Sequence, residues 1–180
     1  MIRAVWLGVV SLIVLVLVVC GGRGDEKNAA VDFPIIVYQG GEELGGSNPS
    51  LYQVLAQGKP IVLNFWGAFC PPCRTEMPDL QKMHDQFSDK VIIFGLDVGL
   101  YKGYGSREDG KELMEELSLS YPAGSTDMPD IVERYRLPGL PSTFFIKPDG
   151  EILTTWVGVI DEGSLEERIK QLIERSKDSW

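Results

Sequence analysis

Histidine occurs once in this chain of 180 residues, cysteine three times, and Lys plus Arg number 17 against 26 Asp plus Glu. Each scarcity narrows the range of function. A net charge of −9 without clustered Lys or Arg argues against a nucleic-acid partner, because phosphate binding needs a concentrated basic face. Three cysteines imply no structural disulfide framework, so the core has to be held by apolar packing. A zinc site is short of ligands too. Beyond one Cys-x-x-Cys pair the chain offers only Cys20 and His84, and His84 lies about 16 Å along a helix from Cys73. No metal and no cofactor are expected, and His84 reads as a structural residue beside the core. Internal repeats and low-complexity tracts are missing, and the length suits one globular domain plus an extension.

The chemistry that is present is concentrated at Asn64 to Pro78, where two thiols follow directly on the apolar run Ile61 to Trp66. That run is rich in strand formers, whereas the residues beyond Cys73 carry apolar groups at helical spacing, so Cys70 falls at a strand-to-helix junction. Unpaired backbone N–H groups and the dipole at a helix start favour negative charge and lower a thiol pKa from about 8.5 toward roughly 7. Cys70 is therefore the expected attacking sulfur. Cys73, almost one turn further, can attack a mixed disulfide on Cys70 and release the partner. Pro71 and Pro72 suit the first helical turn, where a missing N–H matters little. The helix should run to about Phe87 with Cys73, Met77, Leu80, Met83, His84 and Phe87 near one stripe, kinked at Pro78.

At the N-terminus, Ala4 to Gly22 is uncharged and dominated by Val, Leu and Ile. Residues 1–22 therefore read as a signal or anchor segment, its uncharged run from Ala4 to Gly22 long enough at about 28 Å to span a bilayer. A cleaved signal peptide fits equally. Leu17-Val18-Val19-Cys20-Gly21 also resembles a lipoprotein cleavage box that would lipidate Cys20, although Val19 stands where a small residue is usual. In every version the basic N-terminus stays cytoplasmic and the folded part lies across the membrane, on the extracytoplasmic side. Residues 23–30 form a polar tether, and the domain occupies 31–180.

Within that domain, Phe33 to Tyr38 reads as an edge strand, Gly40 to Pro49 as a glycine-rich turn and Ser50 to Ala56 as a helical turn. Val91 to Val98 is a second apolar strand, and strand, helix, strand in this order predicts a right-handed parallel crossover. Gly99 to Gly105 reads as a loop, Ser106 as the cap of a helix with Leu113, Met114 and Leu117 inward, and Asp127 to Tyr135 as a short helix. Ser142 to Ile146 and Ile152 to Gly158 form a hairpin across Lys147-Pro148-Asp149-Gly150. A last helix opens on the capping-box pattern Ser164-Leu165-Glu166-Glu167 and turns Leu165, Ile169, Leu172 and Ile173 to one face.

Trp66-Gly67-Ala68-Phe69-Cys70-Pro71-Pro72-Cys73-Arg74, followed by Gly139-Leu140-Pro141-Ser142-Thr143-Phe144-Phe145, resembles the thioredoxin superfamily. Asn64, the Cys-Pro-Pro-Cys pair, Glu76 and Pro78 resemble more narrowly the membrane-anchored thiol-disulfide oxidoreductases of the TlpA and ResA group, cytochrome c maturation reductants included. The resemblance covers Val31 to Lys177. It implies an α/β thioredoxin-like fold, a mixed sheet flanked by helices, with a strand and helix inserted within Gly99 to Ser125 and a cis peptide before Pro141. A client peptide would pair beside Pro141 as an added strand, with Trp66, Phe69, Pro71, Pro72 and Leu140 around it, the alternative for Trp66, Phe69 and Leu140 being a place in the core. Cytosolic thioredoxins carry a buried acid where Asn64 stands, so Glu76 reads as the relocated carboxylate that exchanges protons with Cys73. The expected partners are a client protein with a disulfide, such as apocytochrome c or a copper-site assembly protein, and a membrane thiol donor, with the chain itself a monomer. The rival readings are a dithiol oxidase or isomerase, and a copper-handling or redox-inert module on the same fold.

Overall fold

The computed structural model describes residues 28–177, so the expected anchor 1–22, Cys20 and residues 23–27 of the tether lie outside the described residues. Among the described residues no helix is long and apolar enough to cross a membrane. The chain forms β1 (Ile36–Gln39), α1 (Leu51–Leu55), β2 (Ile61–Trp66), α2 (Pro71–Phe87), β3 (Ile92–Asp97) and α3 (Gly99–Lys102). It continues through α4 (Arg107–Glu116), β4 (Ala123–Ser125), α5 (Ile131–Arg134), β5 (Ser142–Ile146), β6 (Ile152–Val157) and α6 (Glu162–Ser176).

The strands make one mixed sheet in the order β1-β4-β3-β2-β5-β6. β2 pairs in parallel with β3, Ile61 opposite Ile92 through Trp66 opposite Asp97, and antiparallel with β5. This puts β2 near the middle of the sheet. Every one of its residues is buried, and period-two alternation divides them between two apolar layers. Val62 and Trp66 face α2, α4 and α6, packing with Met77, Leu80, Leu113, Leu165 and Ile169. Ile61, Leu63 and Phe65 face α1 and α5, where Phe65, Tyr135 and Phe144 meet edge-on or tilted at centroid distances of 4.8–5.4 Å.

Capping chemistry sets most helix starts. Ser50 and Ser106 each form a complete capping box, with Gln53 and Asp109 as the reciprocal partners, each worth about 1 kcal/mol. At α6 the cap is Asp161 rather than Ser164: its side chain accepts from Ser164 N at 3.0 Å, and Ser164 lies inside the first turn. Two further boundaries differ from expectation. Gly99 to Gly105 contains the short helix α3, and α5 begins only at Ile131, after Asp130. The expected tether is shorter by its last residues, because Ala29 bridges Glu151 and Ala30 N donates to Gly150 O at 2.8 Å. Pro78 lies inside α2, which continues past it to Phe87.

The inserted elements α3, α4 and β4 carry the sheet out to the edge strand β1, and the join is tight. A Cβ on Gly124 would stand 2.6 Å from Ile36 O, so Gly124→Ala should push β1 off β4. The expected loss is about 2 kcal/mol, the usual cost of overpacking, read as a lower urea midpoint.

Candidate active site

Cys70 caps α2. β2 ends at Trp66, the chain turns through Gly67 to Phe69, and Cys70 N donates to Gly67 O at 3.1 Å. With φ −95° and ψ 101°, Cys70 is the extended N-cap residue, and its Sγ accepts from Cys73 N at 3.3 Å. A sulfur there faces the unpaired N–H groups of a helix start, the surroundings that favour a thiolate. Pro71 and Pro72 fill the first helical positions and are exposed. Cys70 and Cys73 are joined as a disulfide.

Accessibility does not separate the two sulfurs as the sequence suggested, for Cys70 is 1% exposed and Cys73 0%. Their difference is one of position. Cys70 receives the backbone hydrogen bond, and Cys73 supplies the N–H. Around them, Phe69 projects outward at 62% exposure and Tyr104 at 38%. The Leu140–Pro141 peptide is cis, Pro141 is buried, Leu140 half-buried, and Pro141 O accepts from Gly158 N at 2.9 Å between the exposed Val157 and Val159. Trp66 corrects an expectation. It is fully buried in the α2 layer, because the sixth residue of a central strand points into the sheet's packing rather than toward a client.

Glu76 is also fully buried, one turn beyond Cys73. One carboxyl oxygen accepts from Asn64 Nδ2 at 2.6 Å and the other from Ile160 N at 3.0 Å. Burial pushes its pKa up from 4.5 to about 7; the bonds from Ile160 and Asn64 pull it down, and the charge of Asp79 adds to the rise. An acid that is half-ionised near neutrality is suited to proton exchange. Asn64 Nδ2 also donates to Thr143 Oγ1 at 3.0 Å, while its Oδ1 has no partner among the described residues. An amide carries donors on one side and an acceptor on the other, so a half-turn of Asn64 lets it accept from a protonated Glu76.

Some of this environment was not foreseen. Ile160, 84 residues from Glu76 in sequence, reaches it through the segment after β6. Tyr121, fully buried in the same layer, has its ionisation pushed upward by burial and then by the charge of Glu76. A backbone N–H after one strand and a phenol before another have no sequence signature. His84 stands apart, half-buried, with Nε2 at 3.6 Å from Glu43 Oε1.

Comparison with known proteins agrees with this geometry. Residues 29–155 match the AhpC/TSA family. The thiol-disulfide oxidoreductase ResA of Oceanobacillus iheyensis is 30% identical over 139 residues, covering 77% of this chain and 68% of the relative. The thioredoxin-like protein YneN of Bacillus subtilis is 28% identical over 144 residues, covering 80% and 78%. The crystal structure of StoA from Bacillus subtilis superposes with a TM-score of 0.62 at 21% identity, covering 77% of this chain and 96% of that one, a likeness of fold. A dithiol capping a central helix, a buried acid one turn on and these relatives agree, and the chain belongs to the AhpC/TSA family of thioredoxin-like proteins as a ResA-type thiol-disulfide oxidoreductase.

Proposed function

We propose that the protein reduces disulfides of selected client proteins outside the cytoplasm, tethered to the membrane through its N-terminal segment. Cys70 attacks, Cys73 resolves and Glu76 handles the proton. The observation that carries this reading is the buried Glu76, held by Asn64 and Ile160 one turn beyond a dithiol whose first sulfur caps the helix. When the Cys70 thiolate attacks a client disulfide, one client sulfur leaves as a thiolate and the other stays bonded to Cys70. Cys73, deprotonated toward Glu76, then attacks Cys70, releases the reduced client and leaves the Cys70–Cys73 disulfide. Two electrons pass to the client, and a membrane thiol donor restores the dithiol.

The client side is an apolar rim. Phe69, Pro71 and Pro72 are exposed on the dithiol turn, and Leu140 precedes the buried Pro141. An extended client segment pairs beside Pro141 with its side chains on this rim. Apocytochrome c and copper-site assembly proteins are clients of suitable chemistry, and the hydrophobic run at 4–22 with Cys20 supplies the anchor.

Cys73→Ser should trap clients on Cys70 as adducts that dithiothreitol dissolves, seen on non-reducing gels of the membrane fraction and identified by mass spectrometry. Absence of adducts from Cys73→Ser would overturn the reductase reading. A reduction potential well above about −200 mV would favour the opposite direction, oxidation of clients.

A further inference from the structure

Asp97 is a buried acid that the dithiol chemistry does not use directly. It ends β3 opposite Trp66, the last residue before the dithiol turn. From it three hydrogen bonds run in series. Gly99 N donates to Asp97 Oδ1 at 2.8 Å, Tyr104 N donates to Gly99 O at 2.9 Å, and Phe69 N donates to Tyr104 O at 2.9 Å. Phe69 is the residue before Cys70. Packing reinforces the series, since a Cβ on Gly67 would lie 2.7 Å from Tyr104 Cβ and 3.0 Å from Gly99 Cα. On Gly105 it would lie 3.0 Å from Ala68 Cβ. The inserted segment Gly99 to Gly105 is thus pressed along the whole turn from Gly67 to Phe69.

We propose that Asp97 is a positioning residue for the dithiol, holding the Cys70 turn in its attacking geometry through Gly99 and Tyr104. The proposal rests on the reading of Cys70 as the attacking sulfur. Asp97 is itself fixed from other sides. Tyr38 on β1 donates its hydroxyl to Oδ2 at 3.0 Å, and Gly110 of α4 packs so closely that a Cβ there would stand 2.2 Å from the same oxygen. Burial raises the pKa of Asp97 to about 6, opposed by the Gly99 and Tyr38 bonds and by Arg107, and aided by Asp109. A leucine could occupy this place without the cost of desolvating a carboxylate. What leucine lacks is an acceptor for Gly99 N–H, the first link toward Cys70.

The test uses the full chain, reduced, and a small aromatic disulfide as the probe, so that no client is needed. Asp97→Ala should slow attack by about 10- to 100-fold, the scale of loss when a reacting group is misplaced by roughly 1 Å. It should also move the thiolate absorbance titration to higher pH, because a displaced turn weakens the Cys73 N–H bond to Cys70 Sγ. Asp97→Asn keeps an acceptor for Gly99 and should restore the rate to within a few-fold. If Asp97→Ala does not fold, Gly110→Ala, which displaces the carboxylate while keeping every polar group, should give the same two effects. Folded Asp97→Ala or Gly110→Ala with the wild-type rate and titration curve would overturn the proposal. A wild-type protein that fails to attack the probe would instead overturn the reductase reading on which the proposal stands.

Discussion

Cys70→Ser should lower the rate of disulfide reduction by at least about a thousandfold, the scale seen when a covalent nucleophile is removed, whereas Cys73→Ser should leave the first attack nearly intact. The reason lies in which atom of each residue is used. The Cys70 sulfur itself reacts, and a serine hydroxyl at the same N-cap is not ionised near neutral pH. Cys73 supports that sulfur through its backbone N–H at 3.3 Å, a bond that survives replacement of the side chain. Stopped-flow mixing of each reduced variant with an aromatic disulfide separates the two. Single-turnover attack in Cys73→Ser should stay within about tenfold of wild type, while multiple turnover is lost because no second thiol resolves the adduct. Equal loss in both variants would mean that the helix start does not distinguish the sulfurs.

The dithiol could be read from sequence because its determinants are adjacent: an apolar strand, a turn, two cysteines and two prolines lie within Ile61 to Cys73. The bounds of β2 and β5 fall where expected, Ile61–Trp66 and Ser142–Ile146, since Pro60, Gly67, Pro141 and Pro148 frame them. The start of α6 was misjudged because Asp161 and Ser164 are both capping residues three positions apart. Asp161 takes the cap, and Ser164 donates N–H and hydroxyl to it at 3.0 and 2.8 Å. The helix within Gly99 to Gly105 was hidden by three glycines, which lower helical propensity. There the fold is held by long-range partners, Asp97 on one side and Phe69 on the other. Trp66 reads either as a client contact or as core for a related reason. A strand buried on both faces does not say which residues face a helix and which a client. Glu76 follows from the resemblance to the ResA group, but its burial and the Ile160 bond depend on the return of the chain after β6.

Glu76→Gln should change the pH dependence of stability more than its value at any single pH. In the oxidised protein neither cysteine titrates, so the comparison isolates the carboxyl. Its folded pKa is raised from 4.5 to about 7 by burial, which means that the folded chain binds this proton more tightly than the unfolded chain. Stability from this group is therefore fully present below pH 4.5, falls as pH rises toward 7 and is gone above it, a difference of about 3 kcal/mol. Asp97 contributes a second fall, between its ordinary 3.8 and about 6. The substituted amide has no proton to lose, so the variant should decline only over the Asp97 range and stay level above pH 6, where wild type continues to weaken until about pH 7. Asn64 can turn its unpaired Oδ1 toward the new amide, which limits the cost of the substitution itself. Urea unfolding of the oxidised proteins at pH 5, 6, 7 and 8 measures the difference, and parallel curves would mean that Glu76 does not titrate in this range. In the reduced protein the same substitution removes an anion beside the developing thiolates. It should shift their ultraviolet titration to lower pH, with the observed values belonging to two thiols and one carboxyl together.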